Sequence, residues 1–259
     1  RSTEAKLAGI APENIDECMA ILRLIPGLET IDLGTAPEEG EDASAALGWD
    51  EVAAFQAAFP DKAVKYSFTL FGKQLTTLDE QMVLSHRRMD DEGAAVLAVL
   101  PYMTRCTFLD MDSCGVSNTA MAAIRDAYPD IKVVWRVWFG DVYTCRTDVK
   151  RLLASSESHY INDATSDGLY YCTDVVWLDI GHSSLYDLSF LYNMPDLEVC
   201  IVACAPWSDA TPIGSLEKLE YLEILSTNCN DISSFANLKN LKHLNIGNCW
   251  QIRDITPLY

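Results

Sequence analysis

The stretch "LEYLEILSTNCNDI", residues 219–232, decides the fold. It opens Leu-x-x-Leu-x-Ile, and residues 241–246 repeat the rhythm as "LKHLNI". Working outward, four segments align at one interval, starting at Val175, Leu197, Leu219 and Leu241. Their first, fourth and sixth positions are apolar: Val175, Leu178, Ile180; Leu197, Cys200, Val202; Leu219, Leu222, Ile224; Leu241, Leu244, Ile246. The fourth and sixth positions lie two apart, the spacing of a strand with one buried face. Asp187, Asp209 and Asp231 share the thirteenth position, and apolar residues follow each of them. The last segment carries "DITPL" from Asp254, displaced by one residue, which places an insertion near Gln251. A coil this short cannot bury its own apolar edge. Stacked coils cover one another, and their strands then pair as a parallel sheet about 4.8 Å apart.

These segments resemble the leucine-rich repeat, L-x-x-L-x-L-x-x-N/C-x-L. The "DIxxL" return at this spacing is similar to the internalin-type subclass of bacterial surface proteins. The ninth position, usually Asn or Cys, holds Ser183, Ala205, Thr227 and Cys249, so only the last conforms. Asn228, Asn230 and Asn248 stand one to three positions away and are expected to take over part of the missing Asn ladder.

The N-terminal half carries a longer form of the pattern. "CTFLDMDSCGV", residues 106–116, fits it with Cys106, Leu109, Met111, Cys114 and Val116, and a helix follows with Met121, Ile124 and Tyr128 on one face. An upstream copy aligns Met82, Leu84, Met89 and Leu97 with Leu109, Met111, Val116 and Ile124. Helix-bearing repeats of this kind resemble the ribonuclease-inhibitor type. A larger duplication sets residues 49–73 beside residues 118–141: helix, Phe/Tyr-Pro-Asp, strand, then Phe-Gly, a step that suits a β-hairpin turn. A leading helix is expected over residues 13–24 with Ile15, Met19 and Leu22 inward, and an acidic loop over residues 34–48. The expected architecture is therefore α/β: one leucine-rich-repeat solenoid, or horseshoe, with a parallel β-sheet on its concave face. Helices back the N-terminal region, residues 1–146, and shorter loop or 3-10 segments back residues 147–259.

As a whole the chain resembles leucine-rich-repeat proteins of anaerobic gut bacteria, on "FLDMDSCGVSNTAMAAIRDAYPDIKVVWRVWFG" and the repeats after it. The resemblance implies an extracellular or cell-surface setting, no catalytic activity and no cofactor. The chain starts at Arg1 and stops within a repeat, so a targeting segment or anchor is expected beyond either end.

A net charge of −19 argues against nucleic acid, whose phosphates would repel the surface, and favours a basic partner, although acidity also serves solubility. No apolar run reaches the length of a membrane span. Nine cysteines, an odd count without CxxC, argue against a zinc site or disulfide framework and for buried thiols. The four histidines form no HExxH, and "GHSSL" from Gly181 fails G-x-S-x-G at Leu185. A Ca²⁺ site among Asp110, Asp112 and nearby groups is only weakly supported, since Ca²⁺ takes six or more oxygens and a flat strand offers few.

Between the buried strand positions lie the residues of the concave face. Aromatic and acidic side chains alternate there, and the candidate ligand-binding set is Phe108, Asp110, Asp112, Trp177, Asp179, Tyr221, Glu223, His243 and Asn245. Rings supply contact area at low entropic cost, and carboxylates pair with Lys, Arg or sugar hydroxyls. The alternative for both columns is that aromatics suit cross-strand ladders and that aspartate suits a solvated position. The expected role is a non-enzymatic scaffold, monomeric, holding a protein, or a glycan, on this face. The competing expectation is a spacer or assembly module whose recognition lies in other sequence.

Overall fold

The computed structural model describes residues 3–7, 14–38, 47–154 and 160–259. Glu13, His159 and most of the expected acidic loop fall outside them. The chain divides into two compact units, residues 1–133 and 134–259. The sequence places its boundary at residue 146.

The first unit starts with β1 (Glu4–Lys6), α1 (Ile15–Leu22), β2 (Thr30–Thr35), α2 (Trp49–Ala58), β3 (Ala63–Leu70) and β4 (Lys73–Thr76). One sheet holds the four strands in the order β1-β2-β3-β4. The first half of β3 pairs parallel with β2, and its second half pairs antiparallel with β4. The expected Phe-Gly hairpin is thus present, with Phe71 and Gly72 both at positive φ (47° and 70°), as a two-residue turn requires. α1 is shorter than expected, and buries Ile15 and Leu22. A second sheet follows, with β5 (Gln81–Val83), β6 (Phe108–Asp110) and β7 (Lys132–Val134) in that order, connected through α3 (Ala94–Val99) and α4 (Asn118–Ala127). Met82 pairs with Leu109, as the alignment expects. Leu97 does not follow Ile124 inward. It is exposed, and α3 turns Val96 and Val99 to the core.

The second unit opens with the hairpin β8 (Arg136–Phe139) and β9 (Tyr143–Arg146). The duplication runs beyond residues 49–73 and 118–141. Thr77 and Thr147, both buried, hold equivalent places: each hydroxyl accepts from the backbone N–H of an aromatic residue, Tyr66 at 3.0 Å and Trp135 at 3.2 Å. Four residues after each threonine a new parallel sheet begins, at Gln81 and at Arg151.

That last sheet contains β10 (Arg151–Leu153), β11 (Trp177–Asp179), β12 (Val199–Ile201), β13 (Tyr221–Glu223) and β14 (His243–Asn245), in chain order and all parallel. The register from β11 to β14 is the repeat interval itself: Leu178 pairs with Cys200, Cys200 with Leu222, and Leu222 with Leu244. The return segments are 3-10 turns at residues 167–171, 189–193, 213–215, 233–237 and 256–258. All four α-helices of the described residues lie in the first unit. Leu178, Ile180, Cys200, Val202, Leu222 and Ile224 are buried, whereas Leu244 and Ile246 are half-buried.

After each strand the chain turns through a left-handed residue at the eighth repeat position: His182, Cys204, Ser226 and Asn248, with φ between 54° and 64°. The ninth position points inward. Thr227 donates to Ile224 O at 3.0 Å, and the Cys249 thiol reaches the same oxygen at 3.1 Å. Asn228 and Asn248 do reach back one coil, to Pro206 O at 2.9 Å and Ser226 Oγ at 3.2 Å.

The thirteenth-position aspartates, and the displaced Asp254, cap the 3-10 turns. Asp187, Asp209, Asp231 and Asp254 each accept the backbone N–H two residues on, from Ser189, Thr211, Ser233 and Thr256, at 2.8–2.9 Å. Side-chain hydrogen bonds from Ser189 and Thr211, and the backbone bond from Thr256, hold the carboxyls of Asp187, Asp209 and Asp254 below their ordinary values. A carboxyl with a depressed native pKa adds stability above the unfolded value, about 4, and this is lost as pH falls through the lower native value. The thermal midpoint is expected to fall from pH 5 to pH 3, and Asp187→Asn with Asp209→Asn to flatten that fall. An unchanged slope in a calorimetric pH series would show that these caps do not titrate.

Candidate functional site

Strand pairing brings two rows of side chains to the outer face of β10–β14. One row runs Arg151, Trp177, Val199, Tyr221, His243, and the other Leu153, Asp179, Ile201, Glu223, Asn245. Parallel, in-register coils place equivalent residues side by side at strand spacing, so neighbouring rings meet face to face. Tyr221 and His243 stack with ring centroids 4.4 Å apart and planes 3° apart. The Arg151 guanidinium lies 4.3 Å from the centre of the Trp177 ring, a cation–π contact. The Tyr221 hydroxyl donates to Glu223 Oε2 at 3.0 Å. That bond, then burial, raises the phenol above its ordinary pKa. Val199 and Ile201, half-exposed, lie between the two stacked pairs.

The acidic column divides in two. Asp179 and Asn245 each accept the backbone N–H two residues on, from Gly181 at 3.2 Å and Gly247 at 3.1 Å. The same bond recurs in the first unit, from Gly34 to Asp32 and from Asp112 to Asp110. These side chains satisfy a backbone amide at the strand end, which accounts for an acid or amide there without a ligand. Glu223 instead holds Tyr221.

Of the nine candidates, Trp177, Asp179, Tyr221, Glu223, His243 and Asn245 come together on this sheet. Phe108, Asp110 and Asp112 belong to β6 and its turn in the first unit. Phe108 is half-buried there, and Asp110 and Asp112 are buried, at 7% and 4% exposure. Arg151 was not among the candidates. Its strand precedes β11 by 26 positions, off the repeat interval, yet Val149, Leu152 and Ala154 repeat the apolar rhythm and were a readable signal. Among the described residues, no group of three or more His, Cys, Asp or Glu side chains is placed to hold a metal ion. No described helix is long and apolar enough to cross a membrane.

No protein-family model matches the chain, and no curated protein matches it. Among solved structures it is similar to internalin C2 from Listeria monocytogenes, with a TM-score of 0.40 and 19% identity over 61% of this chain and 68% of that one. It is similar also to the internalin InlF of that organism, with a TM-score of 0.34 and 16% identity over 93% of this chain and 47% of that one. A Leptospira interrogans leucine-rich-repeat protein matches with a TM-score of 0.30 and 12% identity, over 95% of this chain and 54% of that one. The chain spans about half the length of these last two. Its structural neighbours are bacterial leucine-rich-repeat proteins, internalins among them.

Proposed function

We propose that the chain is a non-enzymatic binding scaffold, exported or held at a bacterial surface, that grips a protein segment on the outer face of β10–β14. The observation that carries this is the pair of stacked plates, Arg151 on Trp177 and Tyr221 on His243, flanking an apolar centre with Glu223 beside it. Neighbouring rings held in place by strand register lose little entropy on binding, and Trp, Tyr and Arg are the residues that dominate interface energies. The carboxylate in an acidic protein selects a segment carrying Lys or Arg next to an apolar side chain.

The test is capture by immobilised protein from mucosal extract and on a glycan panel. The variant Trp177→Ala, Tyr221→Ala, Glu223→Ala runs beside it. A protein ligand held by the native chain is expected to lose at least ~100-fold in affinity to the variant. The side chains are surface-lying, so the fold is expected to survive, checked by an unchanged circular dichroism spectrum. Equal binding by native and variant chains would remove this face from consideration, and capture only by glycans would change the ligand class.

A further inference from the structure

The hairpin β8–β9 packs against the 3-10 turn of residues 167–171. Gly168 makes the close approach possible: a Cβ there would stand 3.0 Å from Val137 Cβ and 3.1 Å from the Phe139 ring. Trp135 and Tyr171 meet across the same contact, with centroids 5.6 Å apart. Cys172 caps this turn, and Cys145 lies opposite Val137 on β9. Their sulfurs come within 3.8 Å, with Cys145 8% and Cys172 0% exposed. The hydrogen bond to Cys145, then burial, holds the Cys172 thiol well above its ordinary pKa. What the packing sets up is a bond between them.

We propose that Cys145 and Cys172 form a disulfide in a thiol-oxidising environment, fastening the hairpin to the repeat coils. With oxidised glutathione as the oxidant, the less buried Cys145 attacks as thiolate, forms a mixed disulfide and releases one glutathione. The Cys172 thiolate then displaces the second glutathione. The two protons of the protein thiols end on the two released thiols, and the two electrons reduce the glutathione S–S bond. The sulfurs would close from 3.8 Å to about 2.0 Å. The bond would close a loop of 27 positions, and is expected to raise the thermal midpoint by about 5 °C.

The experiment equilibrates the purified chain across glutathione ratios from fully reduced to fully oxidised, then alkylates with N-ethylmaleimide in denaturant. Of the nine cysteines, two are expected to escape labelling under oxidising conditions, and peptide mapping to join Cys145 to Cys172. Dithiothreitol is expected to lower the midpoint of the native chain by about 5 °C and leave Cys172→Ala unmoved. Nine labels at every ratio, or a cross-link between other cysteines, would overturn the proposal. If Cys172→Ala does not fold, Cys145→Ser gives the comparison, and labelling of the native chain decides by itself. This inference is independent of the binding face.

Discussion

Trp207→Ala is expected to cost the second unit about 3–5 kcal/mol and to lower its thermal midpoint by roughly 10 °C. The indole is fully buried in the turn after β12. Its Nε1–H donates to Val202 O at 2.8 Å, and its own carbonyl accepts the Asn228 N–H of the next coil at 3.2 Å. Removing the ring leaves a cavity, strips Val202 O of a donor, and loosens the turn from which the next coil takes its hydrogen bond. Trp207→Phe separates the effects, since most of the ring volume stays and the N–H goes. That variant is expected to cost about 1–2 kcal/mol. Equal losses for the two variants in urea titrations would assign the effect to the hydrogen bond, and a negligible loss for alanine would mean the coils collapse into the space.

Gly214→Ala is the second large effect, and it acts by overpacking. A Cβ on Gly214 would stand 2.5 Å from Ser234 Cβ and 2.7 Å from Ser234 O in the following coil. The opposing atoms include backbone, so no rotamer change removes the clash and the coils must part. The expected cost is about 3 kcal/mol, the upper end of the usual range for core insertions. Ser234→Gly relieves only the Cβ contact. The double variant is therefore expected to recover part of the loss, a coupling that a double-mutant cycle measures. Additive losses would show that the coils separate elsewhere.

The coil-to-coil register was legible from sequence because periodicity and burial encode the same thing. Leu178, Cys200, Leu222 and Leu244 are apolar at one interval, and a slip by one residue would expose them all, so pattern and pairing agree. The Phe-Gly hairpins were legible for a similar reason: a tight turn needs positive φ, and glycine supplies it. The two rows across β11–β14 followed from the same register, since residues one interval apart become neighbours.

Contacts between segments at other spacings were decided only by tertiary structure. Arg151 reaches Trp177 from a strand 26 positions earlier, and Cys145 reaches Cys172 because Gly168 lets a turn close on a hairpin. Asp110 and Asp179 occupy the same repeat position, yet one is buried and the other partly open. A repeat pattern records which face each residue takes within its own coil. How deep that face lies, and what leans on it, depends on packing between segments whose separation no period fixes.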